Sequence, residues 1–225
     1  MIYAILQPAS LAGMLAAFLL AVSVRASIQV WLAARLLRHR VGSPAPDPRR
    51  DIDPFGAIAA VFGGTGWGRP APLPETRAVD GQPRRRVAVL LAGPAAVIGL
   101  GMVVLVGYRV GYPSGILDYL YPSDVLRGVS GPAAEQFLVS LGVGLLCFGV
   151  LALVPLPPLD GWWLLWQAIR RPGEGAQKAR FWLEERNIGV LLLLVMVAFP
   201  LGTPLPLLLM VLDVVVHPLM RLVAT

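Results

Sequence analysis

The chain has 225 residues, of which 56% are hydrophobic and only 14% charged, and its mean hydropathy is +0.70. Soluble globular chains carry about a quarter charged residues, so an ordinary soluble domain is excluded and lipid is the expected solvent. One cysteine, Cys147, sits in an apolar run, which excludes a disulfide framework or cysteine metal site and leaves a small buried hydrophobe. The formal charge of +6 resides in arginines clustered between apolar runs, without a nucleic-acid motif, so membrane topology explains it and no nucleic-acid partner is expected.

The first apolar run, about residues 10–37, opens without a basic segment and is longer than a signal-peptide core, so it reads as a membrane helix. Arg25 and Gln29 lie four residues apart and share one face of it. Arg38, His39 and Arg40 end it. Residues 41–85 are polar and rich in Pro, Gly and Arg, and their one apolar piece, Ala57 to Phe62, is too short to span. A re-entrant or interfacial hairpin is expected there. Arg84, Arg85 and Arg86 flank the next span on its inner side, with lipid contact as an extra. Further spans are expected at about 86–108, 135–154, 187–200 and 204–221. Gly142 and Gly144 suit close helix packing, and Trp162, Trp163 and Trp166 suit an interfacial anchor. Asp213 and His217, four apart in the last run, are weighed as an alternative metal pair with Asp160, with a local hydrogen bond or an interfacial position favoured. The fold class is therefore an all-α polytopic membrane protein, one domain over 1–225, with about five spans and a hairpin. The basic segments 38–86 and 170–186, with Lys178 in the second, orient it with the N-terminus outside and the C-terminus, including Arg221, in the cytoplasm of a bacterial inner membrane.

The third span runs into Val154-Pro155-Leu156-Pro157-Pro158-Leu159-Asp160-Gly161. Prolines lack an amide hydrogen and fix φ, so this stretch ends the helix. A break at membrane depth needs surrounding protein or a watery cavity. A carboxylate placed there is costly, which makes Asp160 a functional-site candidate.

Five segments occur in order: Asp51-Ile52-Asp53-Pro54-Phe55-Gly56, Gly66-Trp67-Gly68-Arg69-Pro70-Ala71-Pro72, Pro83-Arg84-Arg85, Ala92-Gly93-Pro94, and Pro155-Leu156-Pro157-Pro158-Leu159-Asp160-Gly161. Together they resemble the bacterial site-2 protease family of intramembrane zinc metalloproteases, over most of the chain. The resemblance implies that family's fold, with H-I-D-P-x-G, G-W-x-K-P-V-P, A-G-P-x-x-N and N-x-x-P-x-P-P-L-D-G motifs. It also implies a zinc held by two histidines of an H-E-x-x-H on the first helix and by the aspartate at Asp160. Such spacing puts two ligands on one helix face with a glutamate to activate water. Here residues 1–38 contain no His, Asp or Glu. The family's two asparagines match Val97 and Ala152, and the histidine of H-I-D-P matches Asp51. Of the implied metal ligands only Asp160 remains, and one carboxylate does not make a zinc site.

In one of two registers Arg25 and Gln29 occupy the histidine positions. A guanidinium there would pair with Asp160, and Gln29 would add a hydrogen bond. The alternative is that Arg25 snorkels to water while Asp160 caps the helix opened by Gly161. The expectation is a protease-like fold without catalysis, metal or cofactor, which binds other membrane-protein subunits or their helices within the bilayer. An active protease with unorthodox ligands is the alternative, and a lipid- or cofactor-binding element is a third reading.

Overall fold

A computed structural model describes residues 1–37, 43–70, 83–113, 115–169, 172–200, 202 and 205–224. Arg38, His39, Arg40, Ala71, Pro72, Arg170 and Pro204, all within the sequence expectations, lie outside the described residues.

Three long helices form the centre: α1 (Pro8–Leu36), α4 (Pro83–Gly111) and α6 (Ala133–Ala152), all packed on one another. Two short helices, α2 (Pro48–Asp51) and α3 (Pro54–Gly63), lie between α1 and α4, and α5 (Pro122–Arg127) precedes α6. After the break come α7 (Asp160–Ala168), α8 (Glu174–Arg180, followed by a π-helical turn at Phe181–Glu185), α9 (Ile188–Ala198) and α10 (Leu207–Ala224). No strand longer than an isolated bridge occurs among the described residues.

Pro8 opens α1, where the missing amide hydrogen and fixed φ cost nothing. Small residues then let α1 and α6 touch. The Ser10 and Ser140 hydroxyls share a 2.7 Å hydrogen bond, and a Cβ on Gly144 would stand 2.7 Å from the Ala17 Cβ. Gly142 faces the other way, where a Cβ would stand 2.5 Å from Leu105 of α4. The paired glycines thus admit a different helix on each side of α6. In their most apolar windows, 61% of α6 is buried against 39% of α1 and of α4, so α6 is the central helix.

Among the described residues three helices, α1, α4 and α6, are long and apolar enough to cross a membrane, where about five crossings were expected. α9 has 11 residues and α3 has 10, roughly 15–17 Å of helix against about 30 Å of hydrocarbon. Neither crosses alone, but they pack on each other, with Gly63 of α3 against Val197 of α9. The last helix also departs from expectation. Asp213 accepts from the Ser123 amide at 2.7 Å and hydroxyl at 2.6 Å, and His217 stacks on Tyr121 at 4.5 Å. These contacts hold the middle of α10, from Asp213 to His217, beside the segment joining α4 to α6, the end of the bundle where Gln7 meets Ser130. The basic ends of α1 and α4 lie at the other end, so the expected placement of Arg221 with them is corrected.

The hairpin expected in 41–85 is α3 and its return. Asp53 caps α3 by accepting from the Phe55 amide at 2.9 Å. The chain reverses at Gly64, whose φ of 79° suits glycine. It runs back so that Gly68 bridges Ile52 and the Arg69 amide donates to the Asp51 carbonyl at 2.9 Å. Trp67, buried, donates its indole hydrogen to Asp53 at 3.2 Å. The first two sequence motifs are therefore two legs of one hairpin.

Candidate functional site

α6 ends at Ala152 and the chain turns through Pro155, Pro157 and Pro158 before α7 starts at Asp160. Gly161 is needed at this point, because a Cβ there would fall 2.0 Å from the Leu153 carbonyl oxygen. Pro157 is buried against Gly189 at the start of α9. The turn thus delivers Asp160 to the interior, and its carboxylate makes no capping bond. The alternative expectation, that Asp160 caps its own helix, is corrected: a stronger partner is available.

That partner is α1. The Arg25 guanidinium donates from Nε to Asp160 Oδ2 at 2.6 Å and from Nη2 to Oδ1 at 2.5 Å. Gln29, one turn further on, donates from Nε2 to Oδ2 at 3.1 Å. All three side chains are buried, Asp160 and Gln29 completely and Arg25 to 3% exposure. A planar fork on both carboxylate oxygens is the strongest arrangement open to such a pair. The third guanidinium nitrogen, Nη1, donates to the Arg69 carbonyl at 2.8 Å, and Gln29 Nε2 also reaches the Leu90 carbonyl at 3.3 Å. Four elements meet here: α1, the hairpin's return leg, α4 and the start of α7.

Gly93 of α4 makes room for the assembly. A Cβ at this position would stand 2.9 Å from Arg25 Cγ and 2.9 Å from Gln29 Cδ. The positions matched to the family's asparagines hold Val97 and Ala152, both buried, so no further polar side chain enters from them. Asp51, matched to the family's motif histidine, is also buried. It is bound by Arg50 at 2.6 Å, which raises the Arg50 guanidinium above its ordinary pKa, first through that hydrogen bond.

A zinc ion, implied by the family resemblance, does not fit these residues. A guanidinium is a permanent cation without a lone pair to donate, and Arg25 covers both Asp160 oxygens. Gln29 offers an amide oxygen, a poor zinc ligand beside thiolates, imidazoles and carboxylates. No group of three His, Cys, Asp or Glu with metal-holding geometry occurs among the described residues.

Other candidates resolve differently. Asp213 and His217 do not hydrogen-bond each other, the first of the two favoured readings: Asp213 binds Ser123, and His217 accepts from Arg221 Nε at 2.9 Å. Trp162 and Trp166 are 4% and 7% exposed, so they are packed inside and the interfacial-anchor expectation is corrected for them. Trp162 donates to Glu184 at 3.3 Å, and the Arg180 guanidinium lies over Trp163 and Trp166. The helix after the break is covered by its own downstream segment. Arg86 is buried, whereas Arg84 and Arg85 are exposed. The carbonyls of Arg69 and Leu90 went unread in the sequence, since backbone acceptors carry no residue-type signal. Gly93 was visible only as part of its motif.

No family model matches the chain, and no solved structure matches it. It is 29% identical over 158 residues to a Bacillus subtilis (strain 168) protein named "Putative zinc metalloprotease YwhC". The match covers 70% of this chain and 65% of that protein, so the chain spans just under two thirds of its relative's length. By this similarity, its ordered motifs and its all-helical membrane architecture the chain resembles the site-2-protease-like family, although its sequence has no H-E-x-x-H motif.

Proposed function

We propose that the chain is an integral membrane protein that hydrolyses no peptide and works by binding, as a structural, accessory or helix-holding subunit of a larger membrane complex. One observation carries this reading: both oxygens of Asp160 are taken by Arg25, at 2.5 and 2.6 Å, from the helix that would have to supply metal ligands. The pair neutralises a buried carboxylate and fastens α1 to the start of α7. A fold that positions helices this way retains its surfaces for other helices after losing its chemistry. Under the same reading the basic ends of α1 and α4 face the cytoplasm of a bacterial plasma membrane and the N-terminus lies outside, as the positive-inside rule requires.

The printed name of the Bacillus subtilis relative favours a second reading, an intramembrane zinc metalloprotease with unorthodox ligands. Metal analysis separates the two. Full-length protein purified in mild detergent is expected to carry no stoichiometric zinc, and identification of co-migrating membrane proteins should give a reproducible partner. One zinc per chain, lost in Asp160→Asn, would establish the second reading and remove the first.

A further inference from the structure

α1 ends and α4 begins at the same point of the bundle, because Arg85 Nη1 donates to the Leu36 carbonyl at 3.1 Å. Among the described residues this end carries a positive patch. Arg35, Arg84 and Arg85 are all exposed, and neither α1 nor α4 contains a single Asp or Glu. Asp51, an acid of the adjoining α2, is already bound by Arg50. Arg84 makes no hydrogen bond or ion pair among the described residues. Beside the patch, Trp31 is 49% exposed and carries the Arg35 guanidinium 5.0 Å from its ring centre.

The depth of these groups identifies the ligand. They lie in the terminal turns of two membrane-length helices, the level at which phospholipid phosphates and indole rings both sit. Trp31 presents an apolar face on the last two turns of α1, suited to the upper part of an acyl chain. The arginines above it suit a phosphate, and Arg35 is held toward that zone by its stacking on the indole. We propose that the junction of the α1 C-terminus and the α4 N-terminus is a binding site for an anionic phospholipid, with Arg35, Arg84 and Arg85 on the headgroup and Trp31 against the chain.

The test uses the full-length protein in mild detergent, titrated with phosphatidylglycerol or phosphatidylcholine and read by native mass spectrometry. Phosphatidylglycerol should bind more tightly. Arg84→Gln and Arg35→Gln should each weaken it roughly fivefold, as expected for one basic residue near an anionic headgroup. Arg84→Lys should retain binding, and phosphatidylcholine binding should be unchanged throughout. Arg84→Gln removes no contact within the described protein, so its fold, checked by circular dichroism, should be intact. Equal binding of the two lipids by the wild type, or unaltered phosphatidylglycerol binding by both glutamine variants, would overturn the proposal. Competition of inorganic phosphate against phosphatidylglycerol would overturn the lipid as the ligand.

Discussion

Asp160 and Asp213 both close long-range contacts in this chain, and they are answered by different chemistry. Asp160 is wholly buried where a helix breaks, and a guanidinium from α1 meets it, 135 residues away. Asp213 is half-buried towards the end of the bundle, and the neutral amide and hydroxyl of Ser123 meet it, 90 residues away. Depth accounts for the difference. Near water a carboxylate needs only its lone pairs satisfied, whereas in the interior its charge must be cancelled as well. The deeper contact therefore costs more to build and more to disrupt.

Disruption of the deeper contact is the largest expected effect. Asp160→Ala leaves Arg25 buried and unpaired and should cost about 3–5 kcal/mol, measured by denaturation in detergent. Replacing both partners by apolar residues, Arg25→Met with Asp160→Leu, should recover most of this loss, since a packed apolar pair often matches a buried ion pair. If Asp160→Ala costs no more than a change at Ser123, the contrast between the two carboxylates is broken. Gly93→Ala sharpens the contrast from the side of packing. The added methyl collides with Arg25 and Gln29, and about 2 kcal/mol should be lost through overpacking, in contrast with Gly99→Ala, where the structure leaves open space. Ser123→Ala removes two-centre binding at Asp213 to one centre and should cost about 1–2 kcal/mol. Smallest is Arg109→Gln, which breaks a 3.0 Å pair with Asp118 at the surface. Exposed ion pairs contribute about 0–1 kcal/mol, and a thermal shift near the measurement error is expected.

The polar centre of the site was legible in the sequence because its signals are local. Arg25 is the one charged residue of α1 before its last turn and Gln29 is its one amide, and their i, i+4 spacing puts them on one face. Asp160 is marked by the prolines before it. What surrounds them was not legible. Arg69 takes part through its carbonyl, and no side-chain rule reveals which backbone oxygen a guanidinium will find. Trp162 and Trp166 follow an interfacial pattern in sequence, yet they are buried, because Arg180 and Glu184 fold back over them. The last span was misplaced for a related reason: composition registers an apolar helix, but it does not register that Asp213 has Ser123 as its donor.

By itself the sequence determined the solvent, the class of fold, the position of the helix break and the three polar residues that meet there. Each of these follows from hydropathy, proline chemistry or spacing within a single segment. Only the tertiary structure decided that Arg25 and Asp160 are partners, that the return leg of the hairpin joins them through Arg69, and that α9, expected as a span, is too short to cross. Those outcomes depend on which segments lie side by side. For a charge that lipid cannot solvate, the neighbour decides between a cost of several kcal/mol and a neutral, hydrogen-bonded pair.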